Sequence, residues 1–151
     1  MPLKEQLNND LKDAMRSGDT ERRSTIRFLL SAIHNDEIAK QTELDDDGII
    51  QVLTKQAQQR RDSITAFQGA NRQDLVDKEQ SELELIAAYL PEQMSEDEVR
   101  GIVQQVLTDT GASGPQDMGK VMGQLMPKVR GKADGKMVSN MVNQMLRGLA
   151  E

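Results

Sequence analysis

Cysteine is absent from this 151-residue chain. That excludes disulfides, thiolate nucleophiles and cysteine-based zinc sites. Tryptophan is absent too, and Phe28, Phe67 and Tyr89 are the only aromatic residues. So few rings argue against a single-strand nucleic-acid binder that stacks bases on aromatic faces. The single histidine, His34, has no second histidine or cysteine to act with and reads as an ordinary surface residue. Long apolar runs are also missing. Nothing approaches the roughly 20 residues of a membrane span, so no membrane partner is expected. The opening stretch MPLKEQLNNDLKDAM is polar and amphipathic and lacks the apolar core of a secretory signal. These absences lead to the expectation of a cytosolic, that is cytoplasmic, address.

What is present is charge, unevenly distributed. The chain carries a net charge of −6. Residues 1–90 hold 12 Lys and Arg against 17 Asp and Glu, whereas residues 116–151 hold 6 against 3. The first part would repel polyanions and the last part could attract them.

Helical periodicity dominates, and no run alternates like a half-buried strand. Leu3, Leu7, Leu11 and Met15 mark a first helix, stopped at Ser17-Gly18-Asp19. A second helix has Ile26, Leu29, Leu30 and Ile33 on its apolar face. Gln41 to Asp47 reads as a loop, with Asp47 capping a third helix that carries Ile49, Leu53, Ala57, Ile64 and Phe67. Gly69 ends it. Asn71 is expected to cap a fourth helix, which Pro91 should end at Leu90. Ser95 and Glu98 form a capping box, with Met94 and Val99 placed as a hydrophobic staple. A fifth helix follows to the break at Gly111–Pro115. A sixth carries Met118, Val121, Met122, Leu125, Met126 and Val129. A seventh carries Val138, Met141, Val142, Met145, Leu146 and Leu149, capped by Asp134. The expectation is an all-α protein: an N-terminal bundle of about four helices over residues 1–92, then a small three-helix tail module over 93–151.

Several stretches invite a functional reading. Asp45-Asp46-Asp47-Gly48 could suggest calcium, but position twelve of such a loop would be Gln56, where a bidentate glutamate is needed. Helix capping explains the acids better. Lys55, Arg60 and Arg61 lie near Asp62, Asp74 and Asp77 in sequence and read as solvated ion pairs between helices. Met118-Met122-Met126 and Met137-Met141-Met145 form two stripes, which suit either the tail core or an adaptable partner surface. Gly119 and Gly123 cost helix stability and suggest a close approach by a neighbouring helix or a nucleic-acid backbone. Pro127 predicts a kink or early helix end near Leu125–Met126.

The stretch Lys128-Val-Arg-Gly-Lys-Ala-Asp-Gly-Lys136 is the most unusual. One reading is a capped turn. Its lysines offset a helix dipole, Gly131 takes the left-handed terminating position, and Asp134 caps the next helix. The other is phosphate contact. Lys136 favours it, because a cation in the first turn of a helix is unfavourable unless an anion is to be met there. Both readings stand on the residues alone.

The segments KQAQQRRDSITAFQGANRQDLVDKEQSELELIAAYLPEQMSEDE and GKVMGQLMPKVRGKADGKMVSNMV resemble the GatB/YqeY family, specifically its stand-alone YqeY-like members. The resemblance implies a bundle followed by a three-helix tail. The same two regions form the C-terminal part of the B subunit of the tRNA-dependent glutamine amidotransferase, where the tail helps hold tRNA. It therefore implies contact with tRNA or another structured RNA through Lys120, Lys128, Arg130, Lys132 and Lys136. Family membership would attach the label of a carbon–nitrogen ligase with glutamine as amide donor. The residues do not carry that chemistry alone. The sequence contains no Walker-type phosphate loop and no recognisable Ser-Ser-Lys amidase site. No catalytic residue, cofactor or metal is assigned, and an accessory role is expected in preference to an enzyme acting by itself. The alternative is a protein-interaction module docking on a translation-related enzyme.

Overall fold

Leucines at positions 3, 7 and 11 set up the first element, α1 (Leu3–Ser17). The structure is a computed structural model describing residues 2–150. A helix turns 100° per residue, so a strict four-residue stripe drifts. By Met15 the drift from Leu3 is about 120°. Met15 is accordingly half exposed, and Ala14 takes the buried position. Gly18 ends the helix at φ 73°, in the left-handed region. Asp19 caps α2 (Thr20–Lys40) by accepting from the Arg22 amide at 3.1 Å.

The third helix, α3 (Asp46–Gly69), begins earlier than its acidic run suggested. Asp45, not Asp47, is the cap, and its carboxylate accepts from the Gly48 amide at 2.9 Å. Asp46 accepts from the Leu3 amide at 3.0 Å, which ties the start of α1 to the start of α3. Between α3 and α4 (Gln73–Ala87) the chain turns through Asn71 at φ 56°, so Asn71 is the turn residue and Arg72 holds the cap position. The fourth helix stops at Ala87 rather than Leu90. Its last amides, Tyr89 and Leu90, bond three residues back, which tightens the turn ahead of Pro91.

Two compact units divide the chain, residues 1–91 and 92–151. In the first, α1 packs on α2 and α3 on α4. Leu7, Ile26, Leu29, Ile33, Ile49, Leu53, Ala57 and Ile86 form its core. Each large aliphatic side chain fully buried there contributes roughly 1.5–3 kcal/mol. Polar clasps join the helices around that core. Lys4 bridges to Glu37 at 2.9 Å, and Glu37 also accepts from the Leu44 amide at 2.8 Å. The Tyr89 hydroxyl donates to Asp10, which also faces Arg22 at 3.6 Å. Burial and the Asp10 carboxylate push the Tyr89 phenol above its ordinary value.

Arg60 differs from the solvated cation expected. It is 9% exposed and bridges to Glu82 on α4 at 3.3 Å. Its guanidinium lies 4.8 Å from the centre of the Phe28 ring and donates to Gln56 at 2.7 Å. Asp62, Asp74 and Asp77 are engaged within their own helices or caps, by Gln58, Arg72 and Gln73.

The second unit holds α5 (Glu96–Thr110), a 3₁₀ turn (Pro115–Asp117), α6 (Met118–Val129) and α7 (Gly135–Ala150). Ser95 caps α5 by accepting from the Glu98 amide at 3.1 Å. The core is built from Val99, Val103, Val106, Val121, Leu125, Val129, Val138, Val142 and Leu146. Met141 is buried in it, and Met118, Met122, Met126, Met137 and Met145 pack against it. The methionine stripes thus line the core, with Met141 alone fully within it. Leu149, in the last turn of α7, is half exposed instead of buried. Pro127 does not end α6, which runs on to Val129. Only its last turn lies beyond the proline. There the burial of Val129 and the Arg130 amide bonded to the Met126 carbonyl at 2.8 Å offset the one bond lost. Among the described residues, no helix is long and apolar enough to cross a membrane. No group of three or more His, Asp or Glu side chains among them is placed to hold a metal.

Candidate nucleic-acid interface

The basic stretch sits where α6 ends and α7 begins. From Lys128 to Ala133 the residues alternate strictly. Lys128, Arg130 and Lys132 are exposed, while Val129, Gly131 and Ala133 are buried. Gly131 turns the chain at φ 77°, and the Lys132 and Ala133 amides both close onto the Val129 carbonyl, at 2.9 and 3.1 Å. A left-handed residue after a helix reverses the chain tightly, and here that reversal throws every second side chain outward. The side chains of Lys128, Arg130 and Lys132 have no hydrogen-bond or ion-pair partner among the described residues. Consecutive Cα atoms lie 3.8 Å apart, so the Cα atoms of Lys128 and Lys132 lie within about 15 Å of one another.

The inner side of the turn is held from a distant part of the sequence. The Gln93 side-chain amide donates to the Gly131 carbonyl at 2.8 Å. The Met94 backbone amide donates to the Lys132 carbonyl at 2.7 Å. Neither contact had a signal in the sequence. The partners are some 38 residues apart, and glutamine is unremarkable in so polar a chain. The alternation of cation and small residue, by contrast, was there to be read in KVRGKA.

The other two basic positions are differently placed. Lys120 lies on α6, and its ammonium donates to the Thr110 carbonyl at the end of α5, at 2.9 Å. Lys136 lines a shallow cleft of about 360 Å³ with Glu96, Arg100, Asp134 and Asn140. Its backbone amide is taken by the Asp134 carboxylate at 2.9 Å. A free amide of the first turn of α7 is therefore capped internally, and two carboxylates share the cleft with Lys136. Gly119, Gly123 and Pro127 lie on the exposed face of α6 beside Lys120, Gln124 and Lys128. A Cβ at Gly119 or Gly123 would meet nothing within 4 Å, so among the described residues no helix of the second unit approaches them closely. Nearby, Asp117 accepts from the Ser113 amide at 2.8 Å, and that bond holds its carboxyl below the usual range.

The sequence profile of the Yqey-like protein family matches residues 4–146. The chain belongs to that family. Curated relatives of this YqeY-like chain include a Lachancea thermotolerans protein 43% identical over 112 residues, covering 72% of the chain and 60% of the relative. A Kluyveromyces lactis protein is 42% identical over 113 residues, with the same coverage. One from Vanderwaltozyma polyspora is 45% identical over 85 residues, covering 56% of the chain and 46% of the relative. All three are named "Altered inheritance of mitochondria protein 41, mitochondrial". The YqeY-like chain thus spans about 60% of the length of the first two.

Those names overturn the cytosolic expectation, since the relatives are named as mitochondrial proteins. The expectation rested on a missing apolar signal core and missing cysteine. Neither distinguishes the cytosol from the mitochondrial interior, because mitochondrial targeting uses amphipathic segments without an apolar core.

Proposed function

We propose that this YqeY-like chain contacts the phosphate backbone of tRNA or another structured RNA through Lys128, Arg130 and Lys132, with Lys120 and Lys136 as flanking charges. The observation that carries the reading is the alternation: three cations face outward with no partner among the described residues, fixed by buried residues between them. Such groups position a polyanion without reading its bases. The scarcity of aromatic residues suits shape recognition of folded RNA. The resemblance of the tail to the C-terminal part of the tRNA-dependent amidotransferase B subunit supports the same partner. On this reading the chain is an accessory module, and any amide transfer from glutamine belongs to other catalytic machinery. The protein-docking alternative rests on methionines that pack against the tail core, five of the six partly buried.

Titration of unfractionated tRNA at several salt concentrations tests the proposal. Three phosphate contacts give log K against log salt a slope of about −2 to −3. The triple substitution Lys128→Ala/Arg130→Ala/Lys132→Ala should abolish the salt-dependent term with the helical content retained. Wild-type protein that binds no tRNA at 50 mM salt, but recovers a protein partner after nuclease treatment, would favour the docking module.

A further inference from the structure

We propose that Gln93 is a positioning residue for the basic turn, fixing the outward presentation of Lys132 and its neighbours for the polyanion. This rests on the RNA-contact reading above. Three observations converge. First, the Gly131 carbonyl accepts from the Gln93 side-chain amide at 2.8 Å, and the Lys132 carbonyl accepts from the Met94 amide at 2.7 Å. Two successive carbonyls of the turn are thereby drawn inward. Second, Gly131 itself is buried and sits at φ 77°, a conformation open to many backbone alternatives when nothing holds it. Third, the residues on either side of Gly131 carry the cations that lack partners among the described residues. No described carboxylate therefore holds Arg130 or Lys132 in place, and their orientation follows from the backbone.

The physical consequence is preorganisation. A flexible basic turn would lose conformational entropy on meeting phosphates, and that loss subtracts from affinity. A turn already held at two carbonyls avoids most of it. Of the two donors, Met94 contributes through its backbone, which any residue but proline reproduces. Gln93 contributes through its side chain and is the one the sequence specifies. A glutamine reaches that carbonyl while leaving the electrostatics of the cation cluster unchanged, which a glutamate would not.

The test is a coupling measurement on the full chain with unfractionated tRNA at low salt. Gln93→Met keeps the length of the side chain and removes its donor. In the wild type, Lys132→Ala should weaken binding by about fivefold or more, a size within the range of coupled contacts. In the Gln93→Met background the same substitution should cost less than about twofold, because a wandering turn no longer delivers Lys132 to the phosphate. Gln93→Lys, which can still donate at that reach, should restore most of the Lys132 effect. A purely structural role would shift the melting temperature but leave the Lys132→Ala factor equal in all three backgrounds, and that outcome overturns the inference. Should Gln93→Met melt below the assay temperature, the donor-less Gln93→Ala background takes its place. A Lys132 factor below about twofold there supports positioning and an undiminished one opposes it. Wild-type protein that fails to bind tRNA at all would remove the RNA reading and this inference with it. Binding without coupling removes this inference alone.

Discussion

Lys120 donates its ammonium to the carbonyl of Thr110 at 2.9 Å, so a residue that looks like part of a basic cluster closes the end of a helix. Thr110 is the last residue of α5, where carbonyls lack helical partners. A cation there also complements the helix dipole. Lys120→Ala is expected to cost about 0.5–1.5 kcal/mol of stability. Its effect on tRNA affinity should be smaller than that of Lys132→Ala. Chemical denaturation and filter binding on the two variants check this; equal stability with a larger binding loss for Lys120→Ala would reverse the assignment.

Capping supplies a second expectation. Asp134 holds the Lys136 amide and its carbonyl receives the Val138 amide at 3.0 Å. Asp134→Ala should destabilise the second unit by about 1 kcal/mol. It also removes a carboxylate from the cleft around Lys136. Affinity for tRNA should therefore hold or rise while the melting temperature falls. A parallel loss of both would mean that Asp134 shapes the interface as well as the helix.

The two α6 glycines yield the opposite sign. Gly119→Ala and Gly123→Ala add a methyl into open space on an exposed helix face. Each should stabilise by up to about 1 kcal/mol, through helix propensity. Thermal melts read this out directly. A stabilised Gly123→Ala variant with weakened tRNA binding would show that RNA backbone approaches the bare stripe.

The Lys4–Glu37 clasp predicts a pH dependence. The bond from Lys4, then that from the Leu44 amide, hold the Glu37 carboxyl below its ordinary 4.5. A depressed carboxyl stabilises the fold above its unfolded value and loses that contribution as pH falls through the lower, folded value. Wild-type stability should therefore drop below about pH 4.5 more steeply than that of Glu37→Gln. Melting temperatures of the two proteins from pH 6 to pH 3 test the difference, and parallel curves would refute it.

Arg60 ties three helices through Phe28, Gln56 and Glu82. Arg60→Met keeps an unbranched apolar side chain but leaves Glu82 without its cation. Loss of one partner of a fully buried pair costs ~3–5 kcal/mol, and Glu82 retains some exposure, so about 2–3 kcal/mol is expected. Urea unfolding measures it. The double variant Arg60→Met/Glu82→Leu should recover much of the loss, since an apolar pair of similar volume can replace a buried ion pair.

Particular residues show how much was legible beforehand. Gly18 and Gly131 stand in the left-handed positions their neighbours implied, because that conformation is penalised for other residues and the helix ends demanded it. Asp47 reads from the sequence as the cap and Asp45 holds it instead, because all three acids of the run can accept an amide. Only the Leu3 amide, brought from α1, assigns Asp46 to another element. Arg60 looked solvated because nothing in its local sequence names Phe28 or Glu82. Pro127 looked like a helix end because local rules omit the burial of Val129.

The sequence by itself determined that the chain is all helical, roughly where each helix stops, and that positive charge gathers near its end. Those features follow from periodicity, backbone sterics and composition, which act over a few residues. Only the tertiary structure decided which cations face outward and which are occupied. Lys120 is taken by Thr110, and Lys136 shares its cleft with carboxylates. Lys128, Arg130 and Lys132 are held outward by the buried residues between them and by Gln93 and Met94 across the turn. The reason is range: a hydrogen bond between residues 38 positions apart is set by packing, which no local pattern encodes.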